Sequence, residues 1–88
     1  MSEKIWSDEA WDDYIYWQLQ DKKTLKRINQ LIQDIERNGC MEGIGNPEPL
    51  KGDLSGFWSR HIDDTNRFVY RINNDKLEIL SCRGHYED

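Results

Sequence analysis

The chain has 88 residues and a formal net charge of −5 at pH 7. This length predicts one small domain, residues 1–88, with a single core, and the negative charge argues against non-specific binding to nucleic acid, which depends on neutralising phosphates. No segment approaches the ~20 apolar residues that span a bilayer, so we expect a protein that does not bind a membrane. Two distant cysteines without metal-ligand spacing indicate free thiols, which are typical of a cytoplasmic protein.

The N-terminal part predicts a short strand followed by a helix. Residues 4–6 are partly apolar, and Ser7 then offers a cap for a helix whose first turn carries negative charge. Mostly aromatic side chains share one face of this helix: Trp11, Tyr14, Ile15 and Gln18, with Trp17 close by. This spacing favours a buried aromatic stripe over a binding surface.

A second helix follows directly, so the two helices form a hairpin. Asp21 provides the cap, and Asn38-Gly39 provides the stop. Apolar residues follow the helical period at Leu25, Ile28, Leu31, Ile32 and Ile35. The densest basic cluster of the chain lies near its start: Lys22, Lys23, Lys26 and Arg27. The cluster is either a solvated helix face or a contact for RNA or the ribosome. The second interpretation is worth considering because positive charge at a helix N-terminus opposes the macrodipole, so that a binding partner would explain its presence.

Residues 40–56 contain four glycines and both prolines, which predicts a long loop. Glu48 lies inside it, between Pro47 and Pro49. Each proline restricts the backbone beside the glutamate, so its carboxylate is held at a low entropic cost. Lys51 follows three residues later and places a cation near this carboxylate.

The last third of the chain predicts a β-meander with strands over 57–62, 68–72 and 77–82. Short turns join them, so neighbouring strands are antiparallel. Together with the helices, this gives an α+β fold in which two N-terminal helices pack on a small antiparallel sheet. Alternation in the second strand predicts an apolar face toward the helices and an arginine face away from them, and the adjacent Arg60 and His61 point to opposite faces.

These residue types suit cleavage of an RNA phosphodiester by the neighbouring 2′-hydroxyl. Glu48 would take the proton of that hydroxyl, Arg67 and Lys51 would bind the phosphate, and His85 would protonate the leaving 5′-oxygen. Tyr86 would stack on a base or donate a hydrogen bond to a phosphate. The sequence has no phosphate-binding P-loop and no metal-ligand spacing, so we expect neither a metal nor a cofactor.

Several motifs resemble the YoeB branch of the RelE-type toxins of bacterial toxin–antitoxin systems: WSDEAWDDYIYWQ, GIGNPEPLKG, LSGFWSR, the R-x-V-Y of residues 67–70 and the terminal HY. The resemblance implies a fold similar to the small microbial ribonucleases and cleavage of mRNA in the ribosomal A site on the 30S subunit. It also implies a blocking antitoxin of the YefM type, a homodimer, and contact with operator DNA only through the antitoxin.

Matched motif by motif, the resemblance assigns roles to seven residues. Glu48 is the base, His85 is the acid with Tyr86 as its neighbour in the site, and Arg67 is the transition-state arginine. The phosphate contacts are Lys51, Arg60 and His61. Three features depart from the family pattern. One is a local packing change, because the usual Asp-Pro-Phe after the second helix reads Asn38-Gly39-Cys40-Met41. The other two bear on the site. His61 stands where the W-S-R-R motif has its second arginine, and the chain continues past HY with Glu87 and Asp88. They leave a second hypothesis, in which the protein is a catalytically weakened binding module that acts with its antitoxin on DNA or occupies the ribosome. A ribonuclease that works without the ribosome is a third option, against which the negative net charge counts.

Overall fold

The computed structural model describes residues 3–85 of the protein. Its elements are β1 (Glu3–Trp6), α1 (Asp8–Gln20), α2 (Lys22–Asn38), β2 (Glu48–Pro49), β3 (Trp58–His61), β4 (Arg67–Asn73) and β5 (Lys76–Ser81). The strands form one sheet in the order β1-β5-β4-β3-β2, and residues of both helices pack with one face of it. The predicted α+β fold, with two N-terminal helices on a small sheet, is confirmed.

Both helices begin at the predicted capping residues. The Ser7 hydroxyl accepts a hydrogen bond from the backbone N–H of Ala10 at 3.0 Å, and the Asp21 carboxylate accepts one from the N–H of Lys23 at 3.0 Å. Helix α2 ends at Gly39, whose φ of 85° is accessible mainly to glycine. Only Asp21 separates the two helices, so they form the predicted hairpin. Within residues 3–85, neither helix is long and apolar enough to cross a membrane.

The sheet is mixed, which corrects the prediction of a purely antiparallel sheet. Strands β3, β4 and β5 form the predicted antiparallel meander. Strand β1, however, pairs in parallel with β5, with Lys4 opposite Leu77. Short turns force neighbouring strands to be antiparallel, but no short turn connects these two strands. The predicted loop over 40–56 also contains a short strand, β2, which pairs with β3 at the other edge.

The core lies between the helices and one face of the sheet. Most of its buried side chains come from α2 and from alternate positions of β4 and β5: Ile28, Leu31, Ile32 and Ile35 on the helix, and Phe68, Tyr70, Leu77 and Ile79 on the strands. The predicted apolar face of α2 and the predicted apolar face of β4 therefore meet in the core.

The buried face of α1 differs from the predicted aromatic stripe. Ala10 and Trp17 are buried, whereas Trp11 is 48% exposed and Ile15 is 37% exposed. The Trp17 ring N–H donates to the carbonyl of Cys82 at 2.9 Å, and the small Ala10 side chain lets the helix approach the sheet closely. Both sets of residues follow the helical period, so periodicity alone did not distinguish them.

Both cysteines are free thiols, as predicted. Cys82 is fully buried, and this burial, with a smaller contribution from the charge of Asp13, raises the pKa of its thiol to about 12. Burial also raises the pKa of the half-buried Cys40 thiol. Both groups therefore stay protonated at neutral pH and are poor nucleophiles.

Candidate active site

The face of the sheet opposite the helices carries several of the predicted site residues. Glu48 pairs with Ser59 across β2 and β3, and His61 pairs with Arg67 across β3 and β4. Directly paired residues share a face of the sheet, as do alternate residues of one strand. Glu48, His61 and Arg67 therefore share a face, and standard strand spacings put the Cα atoms of Glu48 and Arg67 about 12 Å apart.

Glu48 lies in the edge strand β2, not in an irregular loop as predicted. Pro49 is tolerated there because an edge strand leaves one side of its backbone without a ladder partner. The exposed carboxylate of Glu48 accepts a hydrogen bond from the side-chain amide of Asn46 at 2.8 Å. Asn46 itself has a positive φ of 54°. The glutamate is thus oriented both by its backbone pairing with β3 and by a neighbouring side chain.

Lys51 follows β2 and caps the short 3₁₀ turn Gly52–Leu54. A backbone hydrogen bond from Leu50 to Phe57 at 2.9 Å closes this loop beside β3. Lys51 therefore lies on the exposed segment directly after the strand that carries Glu48, and it remains a predicted phosphate contact.

Arg67 is oriented by the turn between β3 and β4. Its guanidinium Nη1 donates to the carbonyl of Asp63 at 2.8 Å and to that of Asn66 at 3.3 Å. The Asp63 carboxylate closes the turn by accepting from backbone N–H groups; burial opposes its ionisation, but these hydrogen bonds outweigh burial and lower its pKa. Both hydrogen bonds of the Arg67 guanidinium use Nη1. Within residues 3–85, the Nε and Nη2 groups of Arg67 make no competing hydrogen bond. They are therefore suited to bind an anion.

His85 is brought beside Arg67 by the segment that follows β5. The backbone N–H of Arg67 donates to the carbonyl of Gly84, and the N–H of Gly84 donates to the side chain of Asn66, both at 2.9 Å. His85 is the next residue and is exposed. Tyr86 and the Glu87-Asp88 extension lie outside the described residues, so their predicted roles stay predictions.

Helix α1 anchors this C-terminal segment, a function that the sequence analysis missed. The carboxylate of Asp13 accepts from the backbone N–H of Cys82 at 3.0 Å, and Trp17 binds the carbonyl of the same residue. The Arg83 guanidinium lies 3.5 Å from the ring centre of Tyr16. Burial raises the pKa of Asp13, although the bond from Cys82 opposes this effect. These contacts hold the backbone that leads to His85.

His61 is partly exposed and directly opposite Arg67. Its backbone N–H donates to Gly45 at 2.7 Å, and its carbonyl accepts from Arg27 at 3.3 Å. The residue at the position of the second arginine of the motif therefore lies on the same face as Glu48 and Arg67, where it can contact a bound phosphate.

Arg60 does not lie on this face, contrary to its predicted contact with the phosphate. The side chain is fully buried on the helix side of the sheet, opposite Phe68. A guanidinium has five N–H donors, and Arg60 makes five hydrogen bonds. Their acceptors are the Tyr70 hydroxyl, the Asp34 carboxylate and the carbonyls of Gly39, Glu42 and Ile44. No donor is left for a substrate, so Arg60 has a structural role.

Asp34 and Tyr70 complete the network around Arg60. The Asp34 carboxylate also accepts from the backbone N–H of Ile44 at 3.0 Å, and the Tyr70 hydroxyl donates to the carbonyl of Cys40 at 2.8 Å. Burial opposes ionisation of Asp34, but the hydrogen bond from Arg60 and that from Ile44 lower its pKa overall. The network joins α2, β3 and β4 to the loop between α2 and β2.

The lowered pKa of Asp34 predicts a specific loss of stability in acid. A carboxylate with a lower pKa in the folded state stabilises the protein above its unfolded pKa, and this contribution disappears as the pH falls below about 4. We expect the free energy of unfolding of Asp34→Asn to be lower than that of the wild type at pH 7, with the difference shrinking toward pH 2. Urea unfolding between pH 7 and pH 2 measures this, and parallel curves for the two proteins would contradict it.

The basic cluster at the start of α2 lies next to the turn that orients Arg67. Lys22, Lys23 and Lys26 are exposed. Lys23 and Arg27 line a surface cavity of about 350 Å³ together with Asp63, which belongs to the turn that orients Arg67. The cluster and the candidate site therefore adjoin along one side of the molecule.

A carboxylate, a guanidinium and two imidazoles thus come together: Glu48 and Arg67 with His61 on one sheet face, and His85 on the segment paired with Arg67. These groups can accept a proton, bind a phosphate and donate a proton, which are the three functions that acid–base cleavage of RNA requires. Among residues 3–85, no three His, Cys, Asp or Glu side chains are grouped as metal ligands.

Comparison with known proteins gives consistent matches. Residues 6–86 match the family described as YoeB-like toxin of bacterial type II toxin-antitoxin system. Toxin YoeB of Escherichia coli (strain K12) is 56% identical over 82 residues, which cover 93% of this chain and 96% of that protein. A chain of the YoeB-YefM complex from Staphylococcus aureus is 43% identical, with a TM-score of 0.91 and coverage of 98% of this chain and 99% of that one. A chain of the YoeB dimer from Staphylococcus aureus is 45% identical, with a TM-score of 0.91 and coverage of 97% and 98%.

Proposed function

The chain belongs to the YoeB-like toxins of bacterial type II toxin–antitoxin systems, and we propose that it stops translation by cleaving mRNA in the A site of the ribosome. The observation that supports this activity most directly is the grouping of Glu48, Arg67 and His61 on one sheet face, with His85 on the adjoining segment. The protein is then a metal-independent endoribonuclease that acts in the cytoplasm.

In the proposed reaction, Glu48 takes the proton from a ribose 2′-hydroxyl, and the resulting oxygen attacks the adjacent phosphorus. Arg67, with Lys51, stabilises the negative charge that develops on the phosphate oxygens. The bond to the 5′-oxygen breaks, and His85 gives that oxygen a proton. The products are a 2′,3′-cyclic phosphate and a free 5′-hydroxyl, so the step consumes no water, and side chains alone are proposed to transfer the protons and stabilise the charge.

The ribosome is proposed as the platform because the protein alone is poorly suited to attract RNA. Its net charge is −5, so long-range attraction to a polyanion is weak. The basic cluster beside the site (Lys22, Lys23, Lys26 and Arg27) offers a local contact for ribosomal RNA. Such a local contact supports binding at the ribosome, whereas the net negative charge of the protein opposes binding of free RNA.

Mapping of mRNA 5′ ends in a translating extract tests the activity. We expect new ends only on translated message, and none on the same RNA without ribosomes. Ends on both RNAs would instead identify a general ribonuclease. Growth arrest without any cleavage would favour the alternative of a catalytically weakened binding module, for which His61 at the position of the motif's second arginine is the motivating observation.

A YefM-like antitoxin is the proposed protein partner, and a homodimer is the proposed free form, as in the Staphylococcus aureus complex and dimer. We expect an antitoxin segment with carboxylates and apolar side chains to cover Arg67 and His85, since the guanidinium of Arg67 is cationic and His85 is exposed. Hydrogen exchange of the bound and free toxin measures this coverage. Unchanged exchange over residues 83–85 on binding would rule out direct blocking of the site.

A further inference from the structure

We propose that Arg60 is a positioning residue that fixes the loop leading into β2 and thereby places the carboxylate of Glu48. The kinetic part of this inference rests on the proposed function, whereas its structural part does not. Arg60 reaches the loop from the sheet, and three of its five hydrogen bonds go to loop carbonyls: Gly39 at 2.8 Å, Glu42 at 2.7 Å and Ile44 at 3.1 Å.

The loop needs such an anchor because its backbone has little intrinsic stiffness. Residues 39–47 form neither helix nor strand, and Gly39, Gly43 and Gly45 all have positive φ angles. Glycine loses more conformational freedom on folding than any other residue. A single buried side chain that binds several carbonyls of this loop restricts it at several points at once.

Close packing around Gly43 shows how tightly the loop is held against Arg60. A Cβ atom at Gly43 would lie 1.7 Å from the Asp34 carboxylate oxygen and 2.8 Å from Nη1 of Arg60. Gly45 is also close, with 3.1 Å between its ideal Cβ position and the Cβ of Arg60. The ion pair of Arg60 and Asp34 therefore lies directly against the loop backbone.

The end of this loop is coupled to the proposed catalytic carboxylate. The carbonyl of Gly45 accepts from the backbone N–H of His61, and the next residue, Asn46, donates its side-chain amide to Glu48. Displacement of residues 44–46 would therefore move both the β3 pairing and the amide that orients the carboxylate. Arg60 reaches no substrate itself, and it acts on the reaction only through Glu48.

Tyr70→Phe tests the inference with a minimal change. It removes the hydroxyl that joins Arg60 to the carbonyl of Cys40 and retains the buried ring. Tyr14→Phe is the matched control, because it also removes one hydroxyl, which bonds to Asn29 at 2.7 Å on the helices. Cleavage of mRNA on programmed ribosomes is followed below the melting temperatures of both variants. Amide hydrogen exchange is measured on the same full-length proteins without ribosomes.

For Tyr70→Phe we expect at least tenfold faster exchange at the backbone amides of Ile44 and His61, which bond to Asp34 and Gly45. Because a displacement of about 1 Å can cost about 100-fold, we expect its cleavage rate at saturating ribosomes to fall about 10–100-fold. The half-saturating ribosome concentration should stay within twofold. Tyr14→Phe should match the wild type at these two amides and in cleavage.

Unchanged exchange at Ile44 and His61 in Tyr70→Phe would overturn the inference, whatever the cleavage rate. Faster exchange with a wild-type cleavage rate would overturn the positioning role and leave Arg60 a purely structural one. If the wild type itself cleaves nothing, the proposed function fails, and exchange at the two amides alone decides whether Arg60 fixes the loop.

Discussion

We expect Glu48→Gln to lower the rate of mRNA cleavage on the ribosome by about 10²–10⁴-fold, the usual contribution of a positioned base. Glutamine has nearly the same size, and its side-chain oxygen can still accept the hydrogen bond from Asn46. The exchange therefore removes the proton-accepting charge and leaves the pairing of β2 with β3 intact. Expression of the variant without antitoxin should no longer arrest growth.

Glu42→Gln is the matched control for this variant. It neutralises another exposed glutamate on the loop before β2, and it retains the backbone carbonyl that Arg60 binds. We expect wild-type cleavage and growth arrest from it. A Glu48→Gln protein that is folded, cuts mRNA at the wild-type rate and arrests growth would exclude Glu48 as the base.

Arg60→Met lowers the free energy of unfolding by about 3–5 kcal/mol, the cost of breaking a buried ion pair by removing one partner. The variant leaves the Asp34 carboxylate without its cation, and it leaves loop carbonyls without donors. Native proteins have a total stability of roughly 5–15 kcal/mol, so this loss is a large fraction of the total for a small domain. The midpoint and slope of urea unfolding give the difference.

Arg71→Met provides the comparison, because Arg71 also forms an ion pair, with Glu78 at 2.5 Å, but its side chain is 40% exposed. Exposed pairs contribute at most about 1 kcal/mol, so this variant should be nearly as stable as the wild type. Equal, small losses for Arg60→Met and Arg71→Met would mean that the Arg60 network does not hold the fold together.

Local chemistry predicted the elements well. Ser7 and Asp21 cap the helices, Gly39 ends the second one, and the three strands of the meander lie within one residue or so of their predicted positions. Each of these features depends on a few residues that are neighbours in the sequence. The parallel pairing of β1 with β5 depends on distant parts of the chain, and no local pattern specifies it.

In the candidate site, too, features that depend on local sequence were predicted, and those that depend on distant residues were not. Motif resemblance proposed Glu48, Arg67 and His85 as site residues, and the strand register and backbone contacts group them. The same motifs also predicted a phosphate contact for Arg60. Alternation predicted that Arg60 and His61 face opposite sides of the sheet. The pairing of Arg60 with Phe68, on the apolar face of β4, would have identified the buried one of the two. Asp13 and Asp34 were missed because their partners are far away in the sequence.

The pairing of the first strand with the last has a consequence for folding during synthesis. Lys4 of β1 needs Leu77 of β5 as its neighbour, and at about 5–20 residues per second a ribosome takes roughly 4–15 s to make the intervening chain. The backbone N–H of Arg67 can bond to the carbonyl of Gly84 only after Gly84 has been synthesised. The proposed catalytic arrangement therefore cannot assemble on a half-finished nascent chain, and its residues reach their places only after the C-terminal segment has been synthesised.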